Sequence, residues 1–311
     1  MTDTPSRDRE ALGDVPNPLG LAGIEFIEYA TTRPQALGQV LEMMGFKPIA
    51  RHRSREVLLY RQGGMNVVIN AHVSARPSSV QPTETPVIAA VALRVRDAAA
   101  AYRRALDRGA WAVPTHVEVM ELNIPAIHGV GTSRLYFVDR FDSFSIWDVD
   151  FIPIPGVDQH PPAEVGLHWF GIVQYIGTDR MDDWAEFYRE MFGFDELPDE
   201  ERFGILPKGR ILRSPCRSFY WQLIEPEPGI VEVEGDETLQ RMGLGCPDVP
   251  VAVAALGYRG DYSFEAFNDD YQQMPLPLVA QRGRRSAEWL GEEVLRRSVP
   301  LPGRLRLRST A

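Results

Sequence analysis

The chain of 311 residues is long enough for two domains of about 150 residues, each with its own core. Its formal net charge of −10 argues against nucleic acid as a partner, and no apolar run reaches the roughly 18 residues that span a bilayer. The polar, acidic start reads as neither a signal nor a transit peptide, and two cysteines, Cys216 and Cys246, are too few for a metal cluster, so a cytoplasmic location with reduced thiols is expected.

In chain order, residues 1–16 carry charge without periodicity and are expected to be disordered. A strand is predicted over 24–30 and a helix over 33–44, with Pro34 in its first turn and Gly45 as its stop. Residues 56–61 and 65–70 alternate around Gln62-Gly63-Gly64 and read as a hairpin. After a Pro/Ser/Thr loop at 77–86 come a strand at 87–95, a helix at 98–108 stopped by Gly109, and a strand pair at 135–138 and 144–148. Four prolines and a glycine over 149–163 mark an extended linker. A second run follows, with a strand at 167–176, a helix at 181–191, strands at 203–206, 219–225 and 240–245, and an irregular helix near 250–258. From 281 to 311 eight arginines stand against three acids, which reads as a solvated helix and a basic tail.

Two stretches repeat. FGIVQYIGTDRMDDWAEFYREMFGF (170–194) copies IEFIEYATTRPQALGQVLEMMGF (24–46) as strand, polar turn and amphipathic helix closing on Glu-Met-x-Gly-Phe. GCPDVPVAVAALGYRG (245–260) matches RVRDAAAAYRRALDRG (94–109), with Asp248 over Asp97 and Gly260 over Gly109. The spacing is too long for a solenoid and points to a duplicated domain, with β-α-β-β-β modules twice in the first half and less completely in the second.

These residues also carry a resemblance. NPLGLAGIEFIEYA (17–30), MGFKPIARHRSREVLLYRQGGMNVVIN (44–70), MELNIPAIHGVG (120–131), LYFVDRF (135–141) and DWAEFYREMFGF (183–194) closely resemble the 4-hydroxyphenylpyruvate dioxygenases of the vicinal oxygen chelate superfamily. The likeness runs over 17–151 and thins after Asp248. It implies an α+β fold of two tandem vicinal oxygen chelate domains built from paired βαβββ modules. The first would cover 17–150, a linker 151–163, the second 164–280, and a divergent basic tail 281–311, in a protomer that self-associates. The implied activity belongs to tyrosine catabolism. Fe(II) would sit in the C-terminal barrel on two histidines and one glutamate, with open positions for a 2-oxo acid and dioxygen.

Carried onto this chain, the first ligand position falls at Gly171, the second at Arg241, and the third near Glu292 or Glu293. Glycine offers no donor. A guanidinium has no lone pair to give a metal, but it can clamp the carboxylate of a 2-oxo acid bidentately. The alternative for Arg241 is a salt bridge on the outer face. His168 stands three residues before Gly171, so a regular strand turns it to the opposite face, whereas a bulge would bring it round. Glu292 and Glu293 read as helical, and the family's apolar closing segment has no match, through divergence or a shifted reading frame. Aromatics at 169, 170, 175 and 219–221 are dense enough to line an aryl pocket, and Tyr220 and Gln222 join Arg241 as the expected substrate-binding residues.

No pair among His52, His72, His116 and His128 has metal-motif spacing, and GVGTS (129–133) lacks the lysine of a phosphate loop. Two functions therefore stand side by side. One is an Fe(II)-dependent dioxygenase acting on 4-hydroxyphenylpyruvate or a similar aryl pyruvate. The other is a metal-free protein that binds an aromatic or 2-oxo acid ligand, as a sensor or partner subunit, with Arg241 as anion anchor. A third reading keeps a metal on His168 and other nonstandard ligands.

Overall fold

A computed structural model describes residues 17–72, 82–114, 122–142, 144–198, 201, 209–225, 237–257, 275–289 and 291. The first half forms β1 (Gly23–Ala30), α1 (Pro34–Met43), β2 (Lys47–His52), β3 (Val57–Gln62), β4 (Met65–Asn70), β5 (Val87–Arg94) and α2 (Ala98–Asp107). It continues with β6 (Ala126–His128), β7 (Arg134–Val138), the single turn α3 (Trp147–Asp150) and β8 (Phe151–Pro153). The strands make one sheet in the order β6-β7-β5-β1-β4-β3-β2-β8.

The second half repeats the plan with β9 (His168–Tyr175), α4 (Met181–Phe192), β10 (Asp195–Glu196), β11 (Gly209–Arg213), β12 (Tyr220–Ile224) and β13 (Thr238–Gly245), ordered β10-β11-β12-β9-β13. β9 pairs parallel with β12 and antiparallel with β13, as β1 pairs with β4 and β5. Even the irregularities recur. β1 bulges between Ile24 and Phe26 against β5, and β9 skips from Trp169 to Gly171 against β13. A second shift lies where Glu28 and Tyr29 meet Ala90 and Ile88, and again where Val173 and Gln174 meet Arg241 and Leu239. By this register Phe26 corresponds to Gly171 and Ala90 to Arg241.

Local chemistry explains the elements. Helix α4 buries Ala185, Tyr188, Met191 and Phe192, one stripe at helical spacing, against the second sheet. Asp182 and Asp183 sit in its first turn and Arg189 in its last, each matching the helix dipole. It ends because Gly193 takes the left-handed conformation at φ 77°, which a side chain disfavours. Behind it Tyr188 packs against the fully buried Trp221 with ring centroids 4.8 Å apart. Burial holds the Tyr188 hydroxyl well above its ordinary pKa, so it keeps its proton and donates a hydrogen bond to Gln174 Oε1 at 2.6 Å.

The chain separates into two compact units, 1–163 with 168–245 and 164–167 with 246–311, and both sheets belong to the first. Within that unit β13 lies beside β5, Phe137 stacks on Phe192 at 6.3 Å and Arg108 pairs with Glu190 at 2.9 Å. In the second unit α5 (Val249–Ala255) is capped by Asp248, which accepts from Val251 N–H at 3.0 Å, as Asp97 caps α2 from Ala100 N–H at 2.8 Å. A helix at Leu276–Trp289 follows, with Arg284 paired to Glu288 at 2.6 Å.

Several expectations change. Residues 144–148 are not a strand: Ile146 and Trp147 are both buried in succession, and the Asp148 carboxylate accepts from Ser145 N–H at 2.7 Å, closing a helical turn. Helix α5 stops at Ala255, with Gly257 at φ 63°, earlier than the sequence match to Gly260 suggests. β2, β6, β10 and β11 carry too few residues or too little alternation to be read in advance. Inside 151–163, Phe151–Pro153 forms β8 on β2, and Pro161 O accepts from Gly63 N–H at 2.9 Å. Residues 1–16, 203–206, His116 and Gly260 lie outside the described residues. Among the described residues, no helix is long and apolar enough to cross a membrane.

Candidate functional site

The face of the second sheet turned away from α4 is a grid set by strand register. Ile172 and Gln174 on β9, with Trp221 and Leu223 on β12, turn toward α4. The alternate residues share the other face in three rows: Ile224, Tyr175 and Thr238; Gln222, Val173 and Arg241; Tyr220, Gly171 and Gly243. Rows stand roughly 7 Å apart and neighbouring strands about 4.8 Å apart. β13 is held in place at its start by Glu237, whose carboxylate accepts from Gly177 N–H at 3.1 Å and the Trp184 indole at 2.9 Å.

Register thus brings Arg241, Gln222 and Tyr220 onto one face. Arg241 is exposed, and its Nη2 donates to the Tyr175 hydroxyl at 3.1 Å. Tyr175 escaped the sequence reading as an individual site residue, although counting by two from Gly171 reaches it. Tyr220 packs against Phe170 with ring centroids 5.2 Å apart.

His168 corrects the regular-strand expectation. The bulge at Phe170 resets the alternation, so His168 pairs with Gly245 and shares the parity of Gly243 and Arg241. It remains exposed and lies four residues of β13 from the Arg241 row, roughly 13 Å. Its ring packs where a side chain on Gly245 would sit. Glu292 and Glu293 lie outside the described residues.

The donor set at positions 171 and 241 does not fit ferrous iron. Neither residue has a side-chain lone pair to give. A Cβ at 171 would also meet the Tyr220 carbonyl oxygen at 2.5 Å, so no side chain enters there unless β12 moves. Among the described residues no group of three His, Cys, Asp or Glu side chains is arranged to hold a metal ion.

The first sheet holds more polar chemistry than the sequence suggested. Glu25, 1% exposed, pairs with Arg94 at 2.6 Å and accepts from the Trp147 indole at 2.8 Å and Asn66 Nδ2 at 3.2 Å. Glu28 accepts from Asn70 Nδ2 at 2.7 Å, and burial raises its carboxyl above the ordinary 4.5.

Residues 15–152 match the family model described as hydroxyphenylpyruvate dioxygenase, N-terminal. Over 281 residues the chain is 32% identical to the 4-hydroxyphenylpyruvate dioxygenase of Pseudomonas aeruginosa strain PAO1, covering 86% of this chain and 78% of that one. The chain belongs to the 4-hydroxyphenylpyruvate dioxygenase family. A 4-hydroxyphenylpyruvate dioxygenase of Pseudomonas sp. strain P.J. 874 is 43% identical over 185 residues, 58% of this chain and 51% of its own length, so this chain spans about half of that relative. A mutant of 4-hydroxymandelate synthase from Streptomyces coelicolor shares the fold with a TM-score of 0.64 at 17% identity, over 86% of this chain and 83% of that one. The α+β architecture is therefore the vicinal oxygen chelate fold.

Proposed function

We propose that this member of the family binds an aryl 2-oxo acid on the face of its second sheet turned away from α4, with Arg241 anchoring the carboxylate and no iron held at positions 171 and 241. The observation that carries this reading is the placement of Arg241 in one row with Gln222 and beside Tyr175, where a ligand meets a guanidinium, a phenol and an amide together. The family relationship supports the ligand class. A guanidinium recognises a carboxylate by two parallel N–H···O bonds, and its hydrogen bond from Nη2 to Tyr175 at 3.1 Å limits its rotation, so less order is lost on binding. Tyr175 and Gln222 can then meet the 2-oxo oxygen, and Tyr220 with Phe170 supplies aromatic surface.

The test is titration calorimetry with 4-hydroxyphenylpyruvate beside oxygen uptake with added Fe(II). The reading predicts saturable binding without metal, weakened about tenfold or more in Arg241→Ala, and no oxygen uptake. Rapid uptake with product formation would instead establish the dioxygenase activity and sink the metal-free reading.

A further inference from the structure

The face of the first sheet that carries Glu28 gathers a polar cluster that the site above does not use. Arg134 on β7, Ala90 on β5 and Glu28 on β1 lie in one row, and His128 on β6 extends it. Tyr136, Ala92 and Phe26 form the next row. Ala90 and Ala92, 1% and 0% exposed, put only methyl groups on β5 between the longer side chains of β1 and β7. Arg134 Nη1 approaches the Tyr136 hydroxyl at 3.4 Å, and Asn70 donates to Glu28 at 2.7 Å. Arg55, from the β2–β3 loop, and Arg134 both act electrostatically on Glu28. Glu28, Asn70, Arg134, Tyr136 and His128 are all half-buried, so each keeps surface that a small ligand can touch.

We infer that this face of the first sheet is a second binding site, for a small organic carboxylate that takes a proton up with it. With Glu28 ionised, its charge balances Arg134 and an incoming anion meets no net attraction. With Glu28 protonated, the same cluster offers the Arg134 guanidinium, the Tyr136 hydroxyl and the Asn70 amide around positive charge, with Arg55 at the rim. That is a set of donors suited to one carboxylate. Burial already favours the neutral form of Glu28. The nearby Glu25 does not compete, because Arg94 and the Trp147 indole already hold it. In the second half the register-equivalent of Glu28 is Val173 and that of Ala90 is Arg241, so the two halves place their cations on different strands. Each half thus builds an anion site from its own residues.

The experiment uses the full chain carrying Arg241→Ala, which silences the site on the second sheet, with pyruvate as the probe in calorimetry at about pH 5.5 and about pH 8. The inference predicts one saturable site per chain, tighter at the lower pH, with proton uptake revealed by buffers of different ionisation enthalpy. Arg134→Gln should weaken it about tenfold or more, and Glu28→Gln should keep the tight form at the higher pH. If Arg134→Gln does not fold, Tyr136→Phe serves, with a smaller loss expected. Absence of saturable binding, indifference to both the Arg134 and Tyr136 changes, or an unchanged pH response in Glu28→Gln would overturn it. None of these outcomes bears on Arg241.

Discussion

Glu25 is a carboxylate at 1% exposure, tolerated because a guanidinium, an indole and an amide surround it. Removing it leaves Arg94, Trp147 and Asn66 without their shared acceptor, so Glu25→Ala should cost about 3–5 kcal/mol in urea unfolding. A loss below about 1 kcal/mol would show that the network is ornamental. Glu28 makes the opposite kind of statement. Its folded carboxyl titrates above the ordinary 4.5, so the native chain holds this proton more tightly than the unfolded one. Below 4.5 both states are protonated and the group is neutral to stability. As pH rises through the window up to the folded pKa, the unfolded state gains by ionising first, and the native state loses stability. Glu28→Gln should remove that decline, leaving the variant the more stable of the two at neutral pH. Equal pH slopes for wild type and variant would contradict it. Gly171 and Arg241 were legible as unsuited to iron only once the family resemblance had placed the expected ligand positions on them. Tyr175 was not singled out, because its contact with Arg241 depends on the direction in which that side chain extends.

The duplication was readable in its strand–turn–helix units, while the bulges within the strands were hidden. Asp97 and Asp248 stand in equivalent places and take nearly the same conformation, φ −147° with ψ 109° and 107°, each capping its helix. Asp97→Ala should therefore cost about 1 kcal/mol, measured by thermal or urea unfolding, since an alanine leaves the Ala100 N–H without its acceptor. No change would mean that water replaces the cap without cost. The bulges at β1 and β9 left no mark in the sequence. A bulge is a backbone event whose extra residue, Phe170 in β9, looks like any strand aromatic, so simple alternation put His168 on the wrong face. The stretch 144–148 failed for a related reason: its aromatic and serine alternation mimics a strand, while the Asp148 carboxylate, accepting from Ser145 N–H, decides for a helical turn.

Across the two sheets, one strand register recurs with different side chains at equivalent places. At 171, where the resemblance led to the expectation of a metal ligand, the close approach of β9 to β12 leaves room only for glycine. Restoring histidines by Gly171→His with Arg241→His should therefore fail to create tight Fe(II) binding and should lower stability through the contact with the Tyr220 carbonyl. A stable double variant that gains tight Fe(II) binding would show that the strands yield more easily than this packing implies. The measurement that bears most directly on the whole account is calorimetric titration of 4-hydroxyphenylpyruvate, in the presence of a metal chelator, into wild-type protein and Arg241→Ala. Saturable binding by the wild type, weakened about tenfold or more in the variant, is the predicted result. Binding that requires Fe(II), or binding that is equal in the two proteins, would contradict it.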